Sequence, residues 1–186
     1  MAGGGGGFSA IEPRPSYQQG VAGTSTYQGV GHLTPTTVQD VDGIDEPTAW
    51  TFNPTPALAH GHGTGRAVPD LSTDADPFSG FLFYEPSSVP AGFPALEGGW
   101  GGTSFVAPQL NGAVAVIDSY LGHRVGFLNP LIYPLATSAH SPFTPLQQRG
   151  AGNDNMFYTG VPGAPYNVAT GLGTPDFSQG ADDLKG

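Results

Sequence analysis

The stretch that most constrains this chain is Gly101-Gly102-Thr103-Ser104-Phe105-Val106-Ala107-Pro108, a small-residue turn leading into the longest apolar segment. Phe105 to Leu121 carries one charge, Asp118, and its apolar positions fall on every side of a helix. A soluble helix of that pattern is buried on several sides, which places it at the centre of a layered domain. Pro108 is tolerated in the first turn, where an N–H has no intrahelical partner, and Gly122 is a C-terminal stop. Ser104 then has two readings. It is an N-cap satisfying a free backbone N–H of the first turn, or a nucleophile at the positive end of a helix dipole with glycines keeping its surroundings open. The octapeptide alone leaves both standing.

With 186 residues, one domain with a sizeable core is expected, and 30 Gly and 19 Pro predict many turns around few regular elements. Fifteen acidic residues against five Lys or Arg give a net charge of −10. That surface repels phosphate backbones, which argues against nucleic acid as a partner. No basic amphipathic segment or long apolar run points to a membrane. Zero Cys excludes disulfides and thiolate metal sites. The amino terminus has no basic segment followed by an apolar core, so it does not read as a signal peptide.

Gly3–Gly7 is not a phosphate loop, because no strand precedes it and no Gly-Lys-Ser/Thr follows. Residues 8–20 read as an irregular surface segment with a short helix at best. Residues 21–65 read as a long, loop-rich insertion with room for a hairpin, and carry an acidic cluster at Asp40, Asp42, Asp45 and Glu46. Arg66–Asp70 is a short strand entering a turn, and Phe81–Tyr84 is a β-type run. Asp70, Asp74 and Asp76 lack the glycine and closing glutamate of an EF-hand loop, so turn chemistry is their expected role. A second helix starts at Asn129-Pro130, with Asn129 as N-cap.

These landmarks together resemble the carboxy-terminal half of the sedolisins, serine-carboxyl peptidases with a subtilisin-like fold. The matching pieces are Gly5-Gly-Gly-Phe-Ser9 with Arg14-Pro-Ser-Tyr-Gln18, and Val68-Pro-Asp-Leu-Ser72 with Ala75-Asp-Pro77 and Gly80. Next come Gly102-Thr-Ser-Phe-Val-Ala-Pro108 and Leu128-Asn-Pro-Leu-Ile-Tyr133. Tyr158-Thr-Gly160 and Thr170-Gly-Leu-Gly173 complete the set, in family order and covering most of the chain outside 21–65. The resemblance implies an α/β domain, a doubly wound parallel sheet present here as its incomplete, loop-rich C-terminal portion over 1–186. It also implies Ser104 as the catalytic serine, Gly102 and Thr103 as substrate-binding residues, and a peptide or protein substrate. An extracellular location follows from the family alone.

In sedolisins the base is a glutamate supported by an aspartate one helical turn away, and an aspartate in a Gly-Asp-x-Gly loop helps bind the oxyanion. No Glu-x-x-x-Asp occurs here, because Glu12, Glu46, Glu85 and Glu97 each have a non-acidic residue four positions later. The chain is therefore expected to be a fragment, inactive alone, with the missing N-terminal half of the catalytic domain as a partner. Calcium is the family's metal. Its carboxylates are absent from the corresponding stretches, Phe143–Gln148 and Gly163–Asn167, where Pro145 or Gln148 and Asn167 stand instead. No metal ligands are therefore assigned, although Asp154 and Asp176 are carboxylates that could substitute.

Two rivals use residues outside the resemblance. Asp42, His62 and Ser104 stand in subtilisin order, but only 20 residues separate the first two and 42 the last two. A strand–helix–strand unit takes about 30 residues, and that fold needs several between its histidine and serine. His60 and His62 could share a strand face as metal ligands, without a third ligand nearby. His32, His123 and His140 stand alone as surface or capping residues. An acidic domain with an unactivated serine could also be a non-catalytic peptide-binding remnant.

Overall fold

The computed structural model of the chain describes residues 6–30, 33–41, 44–146, 161 and 163–185. In chain order the strands are β1 (Gly7–Pro13), β2 (Thr26–Val30), β3 (Leu33–Val41), β4 (Ile44–Phe52), β5 (Leu58–His62), β6 (Gly65–Val68), β7 (Phe81–Tyr84) and β8 (Leu96–Trp100). Helices α1 (Thr103–Leu121) and α2 (Asn129–Ala136) follow, then the short strands β9 (Phe143–Thr144) and β10 (Thr174–Pro175), and finally helix α3 (Phe177–Lys185).

The chain is thus a mixed helix and strand structure, compatible with an α/β peptidase domain, and the doubly wound parallel sheet implied by the resemblance is not confirmed among the described strands. The described strands form five two-stranded ladders, β1–β6, β2–β5, β3–β4, β7–β8 and β9–β10, all antiparallel. Residues 21–65, read as an insertion with room for a hairpin, carry paired strands. They form two nested ribbons, Thr26–Val30 against Leu58–His62 outside and Leu33–Val41 against Ile44–Phe52 within. Thr, Val, Trp and Phe in the inner ribbon suit a pleated strand, and this local preference outweighs the turn residues between.

The core lies where β6, α2 and the Tyr166–Leu172 loop meet, with Tyr133, Tyr166 and Leu172 fully buried. Gln18 is buried beside them, which corrects the surface reading of residues 8–20. Its side chain acts as a strand partner. The Ala67 N–H donates to Gln18 Oε1 at 2.9 Å, and Gln18 Nε2 donates to the Ala67 carbonyl at 2.8 Å. A buried amide is stable only when paired in this way.

Helix α1 differs from expectation at both its start and its faces. Its N-cap is Gly102, at φ 84° and ψ 168°, without a side-chain cap. Pro108 is therefore the sixth helical residue rather than part of the first turn, and its missing N–H leaves the Ser104 carbonyl without its helical donor. Gly122 ends the helix in the left-handed region, as the sequence predicts. Of the helix residues, Ile117 alone is buried, and Val116 is 70% exposed. The apolar side chains predicted to be covered all round are covered on one side. Helix α2 begins one residue earlier than expected, with Leu128 in the cap position.

Candidate functional site

Ser104 lies in the first turn of α1 and is exposed, as is Thr103. The N-cap reading of Ser104 does not hold, since Gly102 occupies that position and no side-chain hydrogen bond caps the helix. A helix start leaves its first N–H groups without intrahelical partners and carries partial positive charge. The Gly102 N–H is engaged by the Ala75 carbonyl at 2.6 Å, while the Phe105 N–H bonds the Gly102 carbonyl at 3.0 Å. The open donors beside the serine hydroxyl are therefore the N–H groups of Thr103 and Ser104. Gly102 contributes backbone shape rather than a donor.

An aromatic cluster stands next to this turn. The β7–β8 hairpin brings Phe81 against Trp100, and Phe105 stacks on Phe81 at a centroid distance of 5.4 Å. Trp100 lies 6.0 Å from Phe105, with its ring tilted against it. The sequence marks Phe81–Tyr84 as a β-type run without naming its partner, which the structure supplies in Leu96–Trp100. The signal for this pairing was the apolar character of Phe81–Tyr84 and the aromatic residues flanking the Gly-Gly-Thr-Ser turn.

Asp74 and Asp76 take the expected turn role. Asp74 Oδ1 accepts from the Asp76 N–H and the Ser79 hydroxyl, both at 3.0 Å, and Asp76 Oδ1 accepts from the Phe78 N–H at 3.0 Å. Asp70 does something different. It accepts from the Tyr133 hydroxyl at 2.8 Å and pairs with Arg66 at 2.5 Å. Burial, with Asp70 adding to it, pushes the Tyr133 phenol well above its ordinary range, and burial does the same to Tyr166. The hydrogen bond to Tyr17, reinforced by Asp70, raises the Arg66 guanidinium. These residues form the frame behind the site.

Of the alternative triad, Asp42 lies outside the described residues. His62 sits in β5 opposite Thr26, and no hydrogen bond joins it to Ser104 among the described residues. His60 and His62 are on a strand, two residues apart, rather than in a loop. Among the described residues no group of three His, Asp or Glu is placed to hold a metal. Gly5, His32, Gln148, Asp154 and Tyr158–Gly160 also lie outside the described residues.

No protein-family profile matches the chain. It is 32% identical over 167 residues to Kumamolisin of Bacillus sp. (strain MN-32), a match covering 89% of this chain and 26% of that protein. The chain belongs to the sedolisin family. It is also 38% identical over 96 residues to Tripeptidyl-peptidase SED4 of Arthroderma otae, covering 42% of this chain and 16% of that protein. This sedolisin chain thus spans about a quarter or less of the relatives it matches. No helix among its described residues is long and apolar enough to cross a membrane.

Proposed function

We propose that this chain supplies the nucleophile of a secreted serine-type peptidase that cleaves peptide or protein substrates through an acyl-enzyme on Ser104. The observation that carries this reading is an exposed serine in the first turn of α1, behind a glycine N-cap, in a chain whose relatives carry peptidase names. Attack by the Ser104 oxygen on a scissile carbonyl forms the ester bond, the hydroxyl proton leaves to a base, and the amine departs protonated. The N–H groups of Thr103 and Ser104 are the donors that this reading assigns to the developing oxyanion. Gly102 and Thr103 border the bound peptide, and Trp100 with Phe81 offers an apolar wall.

A hydroxyl needs a base, and the 186 residues contain no Glu-x-x-x-Asp. The base pair and the oxyanion aspartate therefore come from polypeptide outside this sequence, and the 186-residue chain is inactive by itself. Calcium does not fit the residues that replace the family's ligands. The Asn167 Oδ1 accepts from the N–H groups of Ala169 and Thr170, at 2.7 and 3.1 Å, and Pro145 has no donor oxygen on its side chain. A hard dication wants several charged oxygens, so no step is assigned to it.

The test is covalent trapping. Alone, the chain gives no peptide cleavage at acid pH and no peptide-aldehyde adduct. Co-expressed with a polypeptide supplying a Glu-x-x-x-Asp helix and a Gly-Asp-x-Gly loop, it gains an adduct at Ser104 that Ser104→Ala removes. Cleavage by the lone chain that Ser104→Ala abolishes refutes the dependence on outside residues. An adduct absent from both preparations refutes the nucleophile.

A further inference from the structure

The turn Asp74–Gly80 lies more than twenty residues before Ser104 in sequence, yet it forms the floor under the serine turn. The Ala75 carbonyl, flanked by Asp74 and Asp76, holds the Gly102 N–H at 2.6 Å. The fit leaves no room for a side chain. A Cβ on Gly101 would lie 2.7 Å from both the Ala75 carbonyl oxygen and the Pro77 nitrogen. On the other side of the turn, a Cβ on Gly80 would lie 2.8 Å from the Asp76 carbonyl oxygen.

The same segment is fastened to the core at its upstream end. The Ser72 N–H donates to the Gly173 carbonyl at 3.0 Å, and the Ser72 hydroxyl donates to the Thr170 carbonyl at 2.8 Å. The Leu172 N–H donates to the Asp70 carbonyl at 2.9 Å, and Leu172 is fully buried. A continuous path therefore runs from the buried 167–173 loop through Ser72, the aspartate turn and Ala75 to Gly102. Its weakest part is the turn itself, which is exposed and held closed by the Asp74 carboxylate accepting from the Asp76 N–H and the Ser79 hydroxyl.

We propose that Asp74 is a positioning residue for Ser104, closing the turn whose Ala75 carbonyl fixes the Gly102 N–H and hence the start of α1. Gly102 stands in the left-handed region, where a glycine without an anchor samples many conformations. Helix ends fray when their terminal groups lose partners, and a nucleophile must be held to about half an ångström. The functional meaning of this device rests on the reading of Ser104 as the nucleophile, whereas its structural content does not.

Amide hydrogen exchange on the 186-residue protein tests it. Asp74→Ala accelerates exchange at Gly102 and Phe105, the two bonded amides of the helix start, about tenfold, the scale of one lost hydrogen bond, while Val114 through Asp118 keeps its wild-type rate. Asp74→Asn retains the accepting Oδ1 and stays within about twofold of wild type, and Ser79→Ala falls between. The proposal is overturned if Asp74→Ala loosens residues 74–80 and leaves Gly102 unchanged. It is equally overturned if all of α1 accelerates together, which marks a general loss of stability. If Asp74→Ala does not fold, Ser79→Ala with an unchanged Gly102 rate overturns it. The Ser104 reading is judged separately by the aldehyde adduct, because Gly102 exchange does not use the serine hydroxyl and is retained in Ser104→Ala.

Discussion

Replacing Tyr133 by Phe removes one oxygen from the middle of the frame that carries the site. That oxygen donates to Asp70 Oδ1 at 2.8 Å and accepts from Gln18 Nε2 at 2.7 Å, and the residue is fully buried. Asp70 keeps Arg66 on its other oxygen, and Gln18 Nε2 keeps the Ala67 carbonyl at 2.8 Å, so neither partner is stripped bare. The loss is then one hydrogen bond to a charged acceptor and one from a neutral amide, together about 3 kcal/mol at neutral pH. With a urea slope of about 2 kcal/mol per molar, the midpoint falls by about 1.5 M. Tyr166→Phe serves as the comparison, since its hydroxyl donates to the neutral Pro69 carbonyl at 2.8 Å and its loss costs about 1 kcal/mol. Both phenols are held above their ordinary range, so the sign of the pH dependence is fixed. The unfolded tyrosines ionise near about pH 10 while the folded ones stay neutral. Their contribution is therefore complete below that pH and declines above it by about 1.4 kcal/mol per pH unit for each tyrosine. Equilibrium urea unfolding from pH 7 to 11 reads both effects. Tyr133→Phe removes one tyrosine's share of the alkaline slope. A Tyr133→Phe midpoint no lower than that of Tyr166→Phe, or an unchanged alkaline slope, refutes the reasoning.

Gly101→Ala and Gly102→Ala separate two kinds of constraint at the serine turn. A Cβ at Gly101 meets backbone at 2.7 Å, whereas Gly102 has its nearest neighbour at 4.0 Å and is held only by its φ of 84°. Thermal unfolding is expected to show a loss of about 1 kcal/mol for Gly102→Ala and a larger one for Gly101→Ala. Ile117→Ala, at the buried position of α1, is expected to cost about 2–4 kcal/mol in urea unfolding, while Val116→Ser stays within about 0.5 kcal/mol. Leu82 at 75% exposure, with Val116 and Phe78, gives the chain an uncovered apolar surface. Anilinonaphthalene sulfonate is expected to fluoresce on the folded protein, and Leu82→Ser with Val116→Ser to reduce the signal by at least half.

The sequence by itself determined the serine, its helix and its family. A small-residue turn before an apolar run specifies a helix start through local preferences, and Gly122 specifies its end, because both act within one turn of chain. Six short motifs in order carry the resemblance that 32% identity to Kumamolisin supports. Only the tertiary structure decided what holds the serine turn and how the core is hydrogen-bonded. Ala75 reaches Gly102, Gln18 reaches Ala67, and Tyr133 reaches Asp70 across separations that no local pattern encodes. Ladder partners likewise follow from which strands meet, and the ladders of the described residues are antiparallel pairs that the sequence did not specify. The apolar pattern of α1 specified coverage on several sides, but among the described residues it is covered on one side only. Pattern records what a surface is suited to touch, and burial also requires a partner to lie against it.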